Sequence, residues 1–173
     1  MPKQSAGLLL YRGSIGPPQA ASDTMLEVFL VHPGGPFWTK KDLGAWSIPK
    51  GEYVDDEEPL AAALREFEEE TGFAVIATLP REGFLPLGSV RQNSGKIVSA
   101  WAFEVGAGLI IDPTRIRSNL CEIEWPPHSG RHIQVPEVDR AAWFTIAEAR
   151  RRIFAAQQPF LDRIVVAFAA AKG

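Results

Sequence analysis

The chain alternates short apolar runs with stretches of turn-forming residues. Residues 5–12 (SAGLLLYR) and 26–32 (LEVFLVH) are apolar runs of strand length. Between them, residues 13–24 are rich in Gly, Pro, Ser and Ala and read as a mobile connection. Pro33-Gly34-Gly35-Pro36 forces a turn, and residues 37–44 continue it as a loop. Residues 45–48 form a short extended piece that ends at Pro49. Residues 84–91 and 96–105 read as a hairpin around Asn93-Ser94-Gly95. Residues 112–119 are polar and show no clear period, and residues 120–125 alternate weakly, as a strand does. Residues 126–136 read as a loop and 141–144 as a short strand. Thr145 opens a helix, with Glu148 at the capping-box position, and Pro159 fits the first turn of a last helix.

Residues 59–71 carry the helical period instead. At about 100° per residue, Leu60, Leu64 and Phe67 fall on one stripe with Ala63 beside it, which marks the buried face. Glu66, Glu69 and Glu70 fall on a different arc, and Gly72 is placed to stop the helix. Strands that precede, surround and follow one central helix predict an α/β fold, a mixed β-sheet sandwiched between α-helices. With 173 residues and 46% hydrophobic side chains, the expectation is a single domain over residues 1–173.

The net charge of −3 hides an asymmetry. Segment 51–73 holds nine acids and one base, so it carries −8 and the remainder +5. That pattern fits either a solvated acidic helix or a cation site beside an anion-attracting surface. The helix phase bears on the choice. Three carboxylates on one arc repel each other, lie towards the unfavourable end of the helix dipole, and have only Arg65 as a partner within the helix. The arrangement becomes favourable around a hard divalent cation such as magnesium, which prefers carboxylate oxygens and keeps waters that a phosphate can replace.

The same residues carry a family resemblance. Gly51, Glu57, Arg65, Glu66, Phe67, Glu69, Glu70, Gly72 and Phe73 match every defined position of the Nudix signature. Seven of these are fixed residue types, and chance agreement at one start point is on the order of 10⁻⁸. The chain thus resembles the Nudix hydrolase superfamily. The resemblance implies Mg²⁺ or Mn²⁺ as cofactor and hydrolysis of a phosphoanhydride bond in a nucleoside diphosphate derivative. It implies Glu69 and Glu70 as metal ligands and Glu66 as a ligand or water-orienting group. Gly51, Glu57, Arg65 and Gly72 would be structural parts of the motif, and the main-chain carbonyl of Lys50 a further ligand. Glu137, in Val135-Pro136-Glu137-Val138-Asp139, resembles the extra loop glutamate of the family, as metal ligand or base, with Glu122 and Glu124 as alternatives.

Residues 46–51 (WSIPKG), the first two strands and residues 136–144 resemble the diadenosine tetraphosphate hydrolase branch. A dinucleoside polyphosphate or nucleoside triphosphate is then the expected small-molecule substrate, with Lys50, Lys96 and Trp46 as candidate contacts. Lys40, Lys41 and Arg91 are further phosphate candidates. Phe37, Trp38, Trp101 and Trp125 are other rings able to stack on a base. His32, His128 and His132 are candidates for phosphate or metal, though a lone histidine near a strand end is more often structural. Residues 106–130 have no counterpart in that branch. A Nudix enzyme for ADP-ribose, a nucleotide sugar or a capped RNA 5′ end, and a non-catalytic nucleotide-binding regulator, remain alternatives. Intact Glu66, Glu69 and Glu70 count against the last.

Other features narrow the class. The start lacks the apolar run of a signal peptide, and residues 160–171 are too short and too charged to span a bilayer. The one cysteine, Cys121, has no partner for an internal disulfide and fits a reducing cytoplasm. The Arg150-Arg151-Arg152 run reads as a solvated helix face, and +5 outside the acidic segment is too little to require nucleic acid, an RNA 5′ end apart. Monomer and homodimer are both compatible with the sequence.

Overall fold

A computed structural model describes residues 1–13 and 26–172. The expected connection at residues 14–24 lies outside them. Among these residues, eight strands and three α-helices follow in the order β1 (Gln4–Gly13), β2 (Leu26–Pro33), β3 (Lys50–Glu52), α1 (Pro59–Thr71), β4 (Leu85–Arg91), β5 (Ile97–Glu104), β6 (Leu120–Glu124), β7 (His132–Pro136), β8 (Val138–Thr145), α2 (Ile146–Arg152) and α3 (Gln158–Lys172).

The main sheet runs β4-β5-β1-β2-β8, with β3 joined to β1. β1 pairs parallel with β5 and antiparallel with β2 and β3, so the sheet is mixed. The alternation of side chains along each strand divides the core in two. Leu8, Leu10, Phe29 and Val31 face α1 and meet Leu60, Ala63, Leu64 and Phe67. Leu9, Val28, Leu30 and Val98 face the other way and meet Ile146, Ala149, Phe160, Leu161 and Ile164 of α2 and α3. The helices therefore sandwich the sheet, as the pattern predicts.

α1 follows the local signals. Glu58 caps its start by accepting from the Ala61 amide at 3.3 Å, and Pro59 occupies its first position. Gly72 ends it in the left-handed conformation, with φ of 80°, and donates to the Glu68 carbonyl at 2.7 Å. Thr145 caps α2 through its hydroxyl, which accepts from Glu148 N–H at 3.3 Å.

Residues 45–48 form the expected short extended piece, with the isolated bridges Val31–Ser47 and Trp46–Ile153, and β3 follows it. Two expectations need correction. Residues 126–136 are not all loop, because β7 forms there and pairs antiparallel with β6 in a separate two-stranded sheet. That pairing joins two weakly patterned segments, and only the partner strand reveals it. The last edge strand spans Val138–Thr145 rather than residues 141–144 alone. At the opposite edge, the Arg163 guanidinium donates to the β4 carbonyls of Leu87 and Ser89, at 2.8 and 3.1 Å. No described helix is long and apolar enough to cross a membrane.

Candidate active site

The acidic arc of α1 points at β3. Gly51 stands there, and a Cβ at this position would overlap the Glu66 carboxylate. Any side chain here would therefore displace the Glu66 carboxylate from its place against β3. The neighbouring Lys50 amide donates to Glu70 Oε2 at 3.1 Å, so the peptide ahead of the acidic segment lies against the second carboxylate. Arg65 braces the other side. It makes two hydrogen bonds to Glu57, at 2.8 and 3.1 Å, and one to Glu66 Oε1 at 2.7 Å. The forked contact ties the loop before α1 to the helix. It holds the Glu57 carboxyl below its usual range and the Arg65 guanidinium above its own.

Glu137 enters from the corner between β7 and β8. Its oxygen lies with those of Glu66 and Glu70 in a group whose members are all within 4.8 Å of one another. Glu69 stands outside this group. Its carboxylate is 3.4 Å from the Arg65 guanidinium, but its charge is felt at Glu137. Burial pushes the Glu70 carboxyl up to about 8 against the pull of Lys50. Glu66 is also raised by burial, against Arg65, and Glu137 is raised by burial and then by Glu69. Burial lowers the Lys50 amine, while Glu70 opposes the shift. The charged cluster is thus unfavourable as it stands, and its donors are all oxygens. Both properties suit a hard divalent cation.

The corner is held by main-chain bonds from the segment that showed no period. The Glu137 amide donates to the Asn119 carbonyl at 2.9 Å, and the Glu137 carbonyl accepts from Gly34 N–H at 3.0 Å. The Val138 amide donates to Ser118 Oγ at 2.9 Å. Asn119 and Arg117 also donate their amides to the carbonyls of Glu69 and Thr71, both at 2.8 Å, and so satisfy the end of α1. A Cβ on Gly34 would overlap the Pro136 carbonyl, so this contact too depends on glycine.

Beside the carboxylates lies a cavity of about 220 Å³, bordered by Trp38, Ser47, Lys50, Glu70, Glu137 and Phe154. Its rings are Trp38 and Phe154, packed edge to face with centroids 5.5 Å apart. Trp46, the expected stacking ring, is 4% exposed, sits between His32 and Phe144, and donates to Asp42 at 2.8 Å. It belongs to the core and does not border this cavity. Lys96 is engaged with Glu52 at 2.7 Å. His32 is fully buried, its ring nitrogens 2.8 Å from Asp139 Oδ1 and 2.6 Å from the Lys41 carbonyl. His128 and His132 stand exposed on the β6–β7 hairpin. Glu122 pairs with His132 at 3.4 Å, and Glu124 accepts from the Gly130 amide at 2.8 Å, so neither joins the carboxylates. Arg150 pairs with Asp162, Arg151 with Glu148, and Arg152 with Glu148 and Asp42. The Cys121 thiol is pushed up by burial and then by Glu137, away from thiolate chemistry. Phe154 is the cavity residue that sequence reasoning missed. It lies about eighty positions beyond the acidic segment, and only its aromatic character could have flagged it.

Comparison with known proteins agrees with this geometry. The NUDIX domain family matches residues 20–164. The chain is 30% identical over 106 residues to bis(5′-nucleosyl)-tetraphosphatase (asymmetrical) of Rattus norvegicus, over 61% of this chain and 67% of that protein. A C. elegans Ap4A hydrolase binary complex superposes with a TM-score of 0.59 at 19% identity, covering 97% of this chain and 98% of that one. A MutT/Nudix family protein from Listeria innocua gives 0.60 at 16% identity, over 99% and 98%. The NUDIX domain of Shewanella oneidensis NrtR, complexed with ADP ribose, gives 0.56 at 17%, over 97% and 89%. These structural likenesses show the fold, and the family match covers the strands, helix and corner that gather the carboxylates. The chain belongs to the NUDIX domain family and is a Nudix hydrolase.

Proposed function

We propose that the protein hydrolyses a phosphoanhydride bond in a dinucleoside polyphosphate or a nucleoside triphosphate, with Mg²⁺ or Mn²⁺ at the carboxylate cluster. The observation that carries this reading is the convergence of Glu66, Glu70 and Glu137 beside a cavity walled by Trp38 and Phe154. Those three carboxylates, with Glu69 and the Lys50 carbonyl as further oxygen donors, would hold the ion. A bound divalent cation polarises phosphoryl oxygens, lowers the pKa of water and compensates charge on the leaving oxygen.

The other roles belong to the chain itself. Gly51 and Arg65 fix the acidic helix against β3. Lys50 places a positive charge beside the carboxylates, where a phosphate would lie. Trp38 and Phe154 supply the flat apolar surface a nucleobase needs and keep water from that side. We assign the proton of the attacking water to the carboxylate oxygen of Glu137 that is not turned to the ion. The tetraphosphatase relative supports the substrate class. The single cysteine supports a reducing cytoplasmic setting.

A phosphate-release panel with Mg²⁺ and with Mn²⁺ tests the reading. Diadenosine tetraphosphate and nucleoside triphosphates should be turned over faster than ADP-ribose or capped RNA. Preference for ADP-ribose would reassign the substrate, and no turnover of any of them would favour the regulator.

A further inference from the structure

β8 ends the main sheet on one side. Among the described residues, the main-chain hydrogen bonds of residues 139–144 run only to β2. Half of the amides and carbonyls of an antiparallel end strand point outward, away from its one neighbour. Segment 111–115 meets β8 on the α1 side, where Trp143 Nε1 donates to the Ile111 carbonyl at 3.0 Å. On the α2 side lies a groove of about 550 Å³, bordered by Lys40, Lys41, Asp42, Arg140, Phe144 and Arg152. Ala141 borders it as well, although its side chain packs towards α1, whereas those of Ala142 and Phe144 pack towards α2. The main chain of β8 is therefore part of the groove wall.

The groove is cationic, with four basic side chains on its border and one acid, Asp42. Lys40 and Lys41 have no carboxylate partner among the described residues, and Lys41 Nζ lies over the Phe37 ring, 3.4 Å from its centre. Arg140 lies over Trp46, 5.3 Å from the ring centre, and its ion pair with Asp139 is long, at 3.7 Å. Stacking thus places its guanidinium without neutralising it. Arg152 lies over Phe144 at 5.0 Å and pairs with Glu148 and Asp42. Three cations therefore stand beside an unpaired strand with little to balance them.

We propose that β8 and this groove are a docking site for an extended acidic segment of a partner protein. The segment adds to the sheet as a further strand and sets its carboxylates against Lys40, Lys41 and Arg140. Main chain in the groove wall selects a polypeptide, because a nucleic-acid backbone has no amide to offer the β8 carbonyls. Charge selects against a second copy of this chain, because two β8 strands paired about a twofold axis would set these cations against their equals. The groove shares no bordering residue with the cavity beside Glu70 and Glu137, so a docked segment leaves that cavity open.

The test is fluorescence anisotropy of a labelled peptide of alternating glutamate and valine, with blocked ends, titrated with the full chain. A copy with every amide N-methylated keeps the charge but cannot donate to β8, and should bind at least about tenfold more weakly. The Lys40→Gln/Lys41→Gln double variant, changed only at exposed side chains, should weaken the parent peptide about tenfold, with the loss fading at high salt. Arg81→Gln/Arg131→Gln, on other surfaces, should leave it unaltered. A thymidine oligonucleotide of equal charge should bind more weakly than the peptide, and the chain alone should sediment as a monomer. No binding of the peptide, equal binding of the methylated copy or of the oligonucleotide, or equal weakening by both double variants overturns the proposal. A dimer that competes with the peptide also overturns it, and gives the strand to a second copy.

Discussion

Glu137 donates its amide to the carbonyl of Asn119 at 2.9 Å, and Asn119 in turn donates its own amide to the carbonyl of Glu69 at 2.8 Å. A single residue thus spans from the glutamate helix to the loop glutamate. The spacing between carboxylates from distant parts of the chain is set by peptide groups and does not depend on the carboxylates themselves. Ser118 adds a side-chain contribution to this strap, accepting from the amide next to Glu137. Ser118→Ala should lower stability by about 1 kcal/mol in thermal denaturation. It should also weaken Mn²⁺ binding, because the corner carrying Glu137 loosens. An unchanged Mn²⁺ affinity would separate the strap from the site.

Gly51 is predicted to be intolerant of any side chain. Its Cβ position coincides with the Glu66 carboxylate, so Gly51→Ala must push strand and helix apart or rotate Glu66 away. Displacement of this size at a reacting centre costs about a hundredfold in rate. Steady-state kinetics on a variant with an intact circular dichroism spectrum would show it, and turnover within threefold of wild type would refute the close-approach argument.

Glu70→Gln should separate catalysis from stability. Turnover is expected to fall roughly 10²- to 10³-fold, from the loss of a charge directed at the cation. Without metal, the same variant should be more stable than wild type at pH 8. The sign follows from proton counts. The folded Glu70 carboxyl titrates at about 8, above its ordinary value of 4.5, so folded protein retains a proton that unfolded chain has lost. This contribution to stability is fully present below pH 4.5 and is lost as pH rises towards 8. Metal-free wild type should therefore lose Tm across that window, and Glu70→Gln should lose less. Saturating Mg²⁺ should remove most of the wild-type decline. A flat Tm profile for metal-free wild type would contradict the burial of Glu70.

Trp38 is expected to contact the base. Trp38→Ala should raise KM for nucleotide substrates about tenfold, in line with the 1–3 kcal/mol that base stacking contributes. The effect should be smaller for inorganic polyphosphate, which has no ring to stack. Equal loss for both would make Trp38 a packing residue only.

The sequence disclosed what depends on local period and fixed spacing. Leu60, Leu64 and Phe67 announced the packed face of α1, and Glu66 and Glu70 announced the face that meets Gly51. What it hid depends on partners far along the chain. β7 becomes a strand because β6 lies beside it. The peptide groups of Arg117 and Asn119 carry no residue signature, so a stretch with no period turned out to hold the corner of the site. Proximity in sequence to the acidic segment favoured Trp46 as the stacking ring. The fold instead buries Trp46 against His32 and Phe144 and brings Trp38 and Phe154 to the carboxylates.

The contact of Arg163 with the outer carbonyls of β4 has a bearing on association. An open sheet edge invites another strand to pair with it, in aggregation or in an unintended dimer. Here the acceptors of Leu87 and Ser89 are already occupied by a cation from α3. An incoming strand would have to displace that guanidinium before its own amides found partners. The same arginine that anchors the last helix therefore guards one border of the sheet, and Arg163→Ala should make the protein more prone to self-association through β4 as well as loosening α3.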